Sequence, residues 1–291
     1  MSQPLSTDHA KEVAERERFE FGRNWIRFLE VLNDERIAEA QQSLQKMLGK
    51  AELAGKTFLD AGCGSGLFSL AARRLGARVH SFDYDPQSVA CAERLRNRYF
   101  PQDPQWLTEV GSVLDNTYLD GLGTFDIVYS WGVLHHTGAM WTAMANLAPL
   151  VADGGYLFVS IYNDQGQTSC RWTRVKRAYN RLPSLLRIVV LGSACVHLWW
   201  RRVLKDFVRG RPLRTWREAA RSRGMSAWRD VVDWVGGYPF EVAKPERVFD
   251  FYFQRGFTLI RMITQGGDLG CNEFVFRKGS SREPSKNRRV C

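Results

Sequence analysis

The chain has 291 residues, 44% hydrophobic and 25% charged, enough to bury a sizeable core in one large domain or in one domain with a substantial insertion, and it excludes a disordered or fibrous chain. The first thirty residues are charged and lack an apolar signal-peptide stretch, so a cytosolic protein is expected. Six cysteines without a CxxC pair or a zinc-spaced Cys/His cluster give neither a disulfide framework nor a metal site, and a formal charge of +10 points to an acidic partner: membrane lipid, nucleic acid or an anionic substrate.

From the N-terminus, Phe19, Phe21, Trp25, Phe28, Leu29 and Leu32 recur at helical spacings among charges, and Ile37, Leu44, Met47 and Leu48 repeat the pattern, so residues 8–49 are expected to be helical. Gly49 and Gly55 punctuate the chain, and Thr57-Phe58-Leu59 begins the first strand. Residues 67–75 form the next helix, ended by Gly76, and 77–82 the second strand. Strand–helix–strand order requires a parallel sheet with right-handed crossovers. A helix over 86–99 and strands over 106–110, 125–130 and 156–161 follow, the last after an expected turn at Asp153-Gly154-Gly155. Residues 245–255 read as a helix, and the runs 257–264 and 271–276, joined by a Gly-rich connection, as an antiparallel hairpin. The fold class is α/β with seven strands, and the polar, basic residues 279–291 are expected to be a disordered tail.

Leu59-Asp60-Ala61-Gly62-Cys63-Gly64-Ser65-Gly66 runs from a strand, through glycines two residues apart, into a helix. Glycine permits the sharp turn and close approach of a ligand, and the helix N-terminus behind it presents unpaired N–H groups to an acceptor. Asp83 ends the next strand, where a carboxylate can accept hydrogen bonds from both ribose hydroxyls. A dinucleotide fold spaces its glycines G-x-G-x-x-G, so this spacing argues against a nicotinamide or flavin cofactor.

This glycine segment resembles the first motif of the class I S-adenosylmethionine methyltransferases. Asp83-Tyr84-Asp85-Pro86 resembles their second motif, Phe125-Asp126-Ile127-Val128 their fourth-strand motif, and Asp153-Gly154-Gly155-Tyr156-Leu157 the turn into their fifth strand. The resemblance covers residues 57–161, and the terminal hairpin matches the family's last two strands. It implies a Rossmann-like seven-stranded sheet and S-adenosylmethionine as cofactor, leaving as S-adenosylhomocysteine. By the same resemblance Gly62 and Gly64 lie against the methionine part, Asp60 near its amino group and Asp83 at the ribose; Cys63, Gly66, Tyr84, Val113 and Trp131 complete the expected cofactor set. Where the family commonly carries an acidic residue for the adenine amine this chain reads Gly111-Ser112-Val113, so Ser112 is the expected substitute.

After the fourth strand, Ser130-Trp131-Gly132-Val133-Leu134-His135-His136-Thr137 matches a segment that ends, in many small-molecule methyltransferases, in a histidine, here His136. With His135 and Tyr162 it is the catalytic candidate, able to take a proton from a phenol or alcohol near neutral pH; the alternative is a loop anchor. Attack on a sulfonium is in line with a neutral leaving group, so positioning supplies much of the acceleration and a carboxylate acceptor needs no base.

Residues 164–243 exceed a minimal methyltransferase, and residues 171–229 hold sixteen Lys/Arg against only Asp206 and Glu218. Within them 185–200 is apolar at most positions, ends in Trp199-Trp200 and is flanked by Arg181, Arg187, Arg201, Arg202 and Lys205. Such a helix, about 24 Å long, is shorter than the roughly 30 Å hydrocarbon core. It is expected either to lie on an anionic membrane surface through residues 181–205 or to roof an apolar substrate pocket as a core helix. A lipophilic acceptor suits both, and membrane-associated quinone-biosynthesis methyltransferases, which the catalytic core resembles in a general way, present such a surface. Nucleic acid is the competing partner, through Trp172, Tyr179, Trp216 and Trp228 among the arginines, disfavoured by the apolar run and by the lack of an RNA-binding module.

Four further residues are candidates for the substrate: Trp25, as part of an N-terminal lid; Asn163, beside Tyr162 at the cleft; and Tyr238 or Glu241 in Gly236-Gly237-Tyr238-Pro239-Phe240-Glu241. Packing for Trp25, and a turn with a capped helix for the other run, are the competing readings. The expected organisation is a helical lid (1–50), a cofactor-binding part (51–163), a basic, apolar helical insertion (164–243), the last helix and hairpin (244–278) and the tail. The function expected is O-methylation of a lipophilic phenol, alcohol or fatty carboxylate. An RNA or protein side-chain methyltransferase and a non-catalytic cofactor-binding scaffold are the alternatives, and the oligomeric state is not set by the sequence.

Overall fold

In the computed structural model the described residues are 5–211, 227–267 and 269–279, so the expected tail from residue 280 and Trp216 lie outside them. The strands β1 (Thr57–Ala61), β2 (Arg78–Asp83), β3 (Trp106–Val110), β4 (Phe125–Trp131), β5 (Val151–Tyr162), β6 (Phe257–Ile263) and β7 (Cys271–Lys278) form one sheet in the order β3-β2-β1-β4-β5-β7-β6. The first five are parallel, and β7 runs antiparallel between β5 and β6. Helices α4 (Leu67–Arg74), α5 (Pro86–Tyr99), α6 (Asn116–Asp120) and α7 (Met140–Leu147) make the crossovers, so both faces of the sheet are covered and β1 is buried from Phe58 onward.

Local chemistry sets where these elements start. Asp85 accepts from the Gln87 N–H and Pro86 opens α5, while Asp115 caps α6 by accepting from the Tyr118 N–H. On one face Phe58, Tyr129, Phe158 and Val275 pack under α4 and α3 (Asp34–Leu48); on the other Leu59, Val128, Leu157 and Phe276 pack with α7 and a helix over Pro245–Phe253. Ahead of α3 come α1 (Leu5–Ala14) and α2 (Gly22–Glu30).

Three expectations change. Asp153-Gly154-Gly155 is no turn before a strand but lies inside β5, where the register with β4 shifts between Phe125 and Ile127 and the extra residues are taken up as a bulge. The insertion contains α8 (Gln167–Arg181), α9 (Ser184–Val208) and α10 (Ala227–Gly236), with its own core of Trp172, Tyr179, Leu191, Trp199, Val231 and Val235; the closing helix Pro245–Phe253 is therefore α11. At 25 residues α9 runs well past 185–200, because no breaker stands between the apolar run and its basic fringe. Lys176, counted above with the basic charge of this region, is wholly buried: its ammonium donates to the Trp234 carbonyl and lies 4.3 Å from the Trp234 ring centroid and 4.5 Å from that of Phe240.

Candidate active site

At the carboxyl ends of the parallel strands one cavity of about 1570 Å³ opens, beside the point between β1 and β4 where strand order reverses and doubly wound sheets bind ligands. The glycine loop forms one wall. Gly62 and Gly64 adopt φ of 86° and 52°, and a Cβ would stand 2.4 Å from Val133 on the first and 3.0 Å from the Trp25 ring on the second. The loop is thus pressed between the segment after β4 and helix α2, which only residues without a side chain allow. Cys63 also lines the cavity. Gly66 does not: a Cβ there would stand 2.8 Å from the Ala92 Cα, so its bareness serves the packing of α4 on α5, a correction to its expected place in the cofactor set.

Asp83 reaches the cavity with its carboxylate already oriented. The Gly64 N–H donates to Oδ2 and the Asp85 N–H to Oδ1, each at 2.9 Å, leaving each oxygen a further lone pair for a hydroxyl. Burial outweighs those hydrogen bonds and pushes its pKa up to about 6. Asp60 is pushed up to about 7, again chiefly by burial, against a hydrogen bond from the Ser69 hydroxyl. Tyr84, Ser112, Val113 and Trp131 stand on the same walls. Bare glycines for close approach, an oriented carboxylate for hydroxyls and a second carboxylate near the loop suit a nucleoside that carries a cationic amine.

The other part of the cavity is lined by Tyr162, His136, Phe19 and Phe21, and by Trp199 and Trp234 of the insertion. His136 Nδ1 stands 2.6 Å from the Pro239 carbonyl oxygen. A carbonyl only accepts, so Nδ1 carries the proton and Nε2 keeps its lone pair. Burial lowers the ring's pKa to about 3; the Pro239 bond opposes this and the charges of Lys176 and Arg18 add to it. The ring is a neutral hydrogen-bond acceptor and a weak base.

Four expected site residues lie elsewhere. His135 is fully buried with its ring 4.0 Å from that of Tyr162, and is not at the cavity, because consecutive residues of the short 3-10 turn Leu134–His136 point to different sides. Asn163 ties β5 to the hairpin connection, donating to the Gly266 carbonyl and accepting from Asn272, each at 3.1 Å. Glu241 accepts from the Met140 N–H at 3.0 Å and so caps α7. Tyr238 takes a 3.0 Å hydrogen bond from Arg177 and does not line the cavity. Trp25 does line it, but against Gly64 on the glycine-loop side and not at the aromatic end.

Sequence reasoning missed the segment between α1 and α2. Arg18 donates to the His136 carbonyl at 2.9 Å, pairs with Glu12 and stacks its guanidinium 5.0 Å over Tyr84. Phe19 and Phe21 flank it, and the Gly22 N–H donates to Asp85 at 2.8 Å. Phe19 and Phe21 entered the helical pattern expected over residues 8–49, but residues 15–21 are a connection between α1 and α2, whose place depends on what it folds back upon.

Residues 32–224 match a family model described as a methyltransferase domain. The chain is 29% identical over 180 residues to the ubiquinone biosynthesis O-methyltransferase of Xanthomonas euvesicatoria pv. vesicatoria (strain 85-10), covering 60% of this chain and 65% of that protein. It is 31% identical over 123 residues to the protein of the same name from Vibrio parahaemolyticus, covering 41% and 50%. It therefore spans less than two thirds of the length of these curated relatives. In structure it is similar to magnesium protoporphyrin IX methyltransferase from Synechocystis PCC 6803 with bound S-adenosylhomocysteine (TM-score 0.51, 14% identity, 84% and 83% coverage). It is also similar to 1,6-didemethyltoxoflavin-N1-methyltransferase from Burkholderia thailandensis with bound 1,6-didemethyltoxoflavin and S-adenosylhomocysteine (TM-score 0.50, 16% identity, 96% and 94% coverage); at these identities the likeness concerns the fold. Since the region matched by the family model holds the glycine loop, Asp83 and the His136 segment, the chain belongs to the class I methyltransferases, whose cofactor is S-adenosylmethionine.

Proposed function

We propose that the chain methylates an oxygen of a lipophilic small molecule, a phenol of the quinone-precursor kind or a fatty carboxylate, which it meets at an anionic membrane surface. The observation that carries this reading is the two-sided character of α9. Leu198 and Trp199 line the cavity, while Leu185, Ile188, Val189, Val196, Trp200 and Leu204 of the same helix are exposed. Single exposed apolar residues mean little, but a row of them along one helix is the kind of patch that covers a partner or a lipid surface. Exposed Arg181, Lys205, Arg209 and Arg211 border it and suit anionic headgroups. Among the described residues no helix is long and apolar enough to cross a membrane, so the contact would be interfacial. The cavity exceeds the roughly 300–1,000 Å³ of an ordinary ligand pocket and suits a nucleoside with an acceptor beside it. The names of the curated relatives favour a phenolic oxygen.

When bound, S-adenosylmethionine supplies an electrophilic methyl group on a sulfonium. The chain's own contribution is placement: Tyr162, Phe19, Phe21 and Trp234 exclude water from the aromatic end, and His136 Nε2 accepts a hydrogen bond from the acceptor hydroxyl and so aims its oxygen. A ring whose basicity burial has reduced this far aligns a hydroxyl better than it removes its proton, so a phenol gives its proton to solvent as the ether forms, and a carboxylate acceptor has none to lose. The test is to incubate bacterial membrane, RNA and soluble-protein fractions with the enzyme and methyl-labelled cofactor, then follow the label by mass spectrometry. Label in an organic-extractable ether or ester is the expected result. Label in RNA or protein would establish the competing acceptor class, and no label in any fraction would leave a cofactor-binding scaffold.

A further inference from the structure

The sheet face that carries Phe58 and Phe158 ends, at its carboxyl edge, in a row of polar side chains. Asp60 on β1 stands in register with Tyr129 on β4. Two residues further along β4, Trp131 is opposite Ser160 of β5, and Ser160 is opposite Glu273 of β7. Because side chains alternate along a strand, Asp60, Tyr129, Trp131 and Glu273 share one face, and all four line the cavity.

Their polar atoms are unequally satisfied. Asp60 takes the Ser69 hydroxyl, and Glu273 accepts from the Trp131 indole N–H at 3.2 Å. Among the described residues the Tyr129 hydroxyl has no partner, although the residue is only 2% exposed and its ring is fixed by stacking on Phe58 and Phe68 at 5.7 and 5.0 Å. Burial, then Asp60, then Glu273 hold that hydroxyl well above its usual pKa, so both carboxylates act on it. Among the described residues no lysine or arginine forms an ion pair with Asp60 or Glu273. A buried hydroxyl without a partner is a net loss unless something else supplies one, and two carboxylates beside it repel an anion and attract a cation with several N–H donors.

We propose that this row binds the α-ammonium group of the cofactor, with Glu273 of the last strand and the Tyr129 hydroxyl acting alongside Asp60. Cofactor recognition then reaches across the sheet to a strand far from the glycine loop in sequence. The inference rests on the cofactor reading above and adds residues that no motif contains.

Calorimetric binding of S-adenosylhomocysteine and of 5′-methylthioadenosine, the same nucleoside thioether without its amino-acid part, tests it on the full chain. Glu273→Gln keeps an acceptor for Trp131 and removes the charge; Tyr129→Phe removes only the unpartnered hydroxyl. Each is expected to weaken S-adenosylhomocysteine by about tenfold, the scale of a hydrogen bond to a charged group, and to leave methylthioadenosine within about twofold. The carboxylate of the amino-acid part does not confuse the result, since removing a negative charge would tighten its binding. Unchanged or tighter S-adenosylhomocysteine binding, or equal weakening of both ligands, would overturn the assignment. Thermal melting guards against a folding defect: a lowered Tm for Tyr129→Phe would mean that the hydroxyl is structural and would also overturn it. Wild-type protein that binds neither ligand would instead remove the cofactor reading itself.

Discussion

The residues nearest the nucleoside are governed by burial, and this makes their behaviour predictable. Asp83→Ala removes a charged acceptor from two hydroxyls and is expected to weaken S-adenosylhomocysteine by about 1–3 kcal/mol, read by calorimetry. In the free protein Asp60 and Asp83 titrate near 7 and 6 because burial disfavours their charge. A ligand that brings an ammonium and hydroxyl donors favours the ionised forms, so binding releases protons. Affinity should therefore be full above about pH 8 and fall as pH drops through 7 and 6, by up to about tenfold per unit for each group. Calorimetry at pH 8 and 5.5, in buffers of different ionisation enthalpy, checks both the loss and the proton release. His136→Ala should lower kcat/KM by about tenfold, the scale of one hydrogen bond, and not by the 10²–10⁴ of a lost general base; a larger loss, rescued by added imidazole, would restore the base role. The glycines and Asp83 could be read from the sequence because their job is local: a positive φ, a turn, a strand end. Glu241 and Tyr238 could not, since whether a carboxylate caps a helix or faces a cavity depends on which helix lies beside it.

Elements raise a different question, which is what each of their faces meets. Gly66→Ala puts a methyl group 2.8 Å from the Ala92 backbone at a φ of 79°, so α4 must shift from α5. An overpacking cost of about 1–3 kcal/mol is expected, measured as a lowered unfolding midpoint in urea. On α9 the exposed row invites the opposite experiment. Ile188 and Val196 are 63% and 66% exposed, so Ile188→Asp with Val196→Asp should leave the fold and S-adenosylhomocysteine affinity intact while abolishing co-flotation with phosphatidylglycerol vesicles. Unaltered flotation would detach α9 from the membrane reading. Apolar periodicity located this helix, yet its length and its division into a cavity side and an exposed side came only with α8 and α10 packed against it. The bulge in β5 was hidden for a similar reason: Asp153-Gly154-Gly155 has the composition of a turn, and Gly154 does take a φ of 73°, yet the chain on either side of it, Val151 and Tyr156, pairs with β4 as one strand.

Across the whole molecule, the N-terminal segment and the insertion meet over the sheet edge and enclose a cavity that neither half possesses alone. Arg18 joins the Tyr84 side to the His136 side, the Phe19 N–H donates to the Tyr238 carbonyl at 2.9 Å, and Asn24 donates to Asp233 of α10. The sequence by itself determined the alternation of strands and helices, the glycine loop with its aspartate, and hence the class of cofactor, because hydrophobic period, backbone freedom and short-range capping act between neighbours in the chain. Tertiary structure alone decided that Pro239 holds the ring of His136, which lysine is buried among rings, and that Glu273 shares a sheet face with Asp60. Those outcomes depend on contacts between residues far apart in the chain, set by sheet order and burial, for which no local pattern of residues carries a signal.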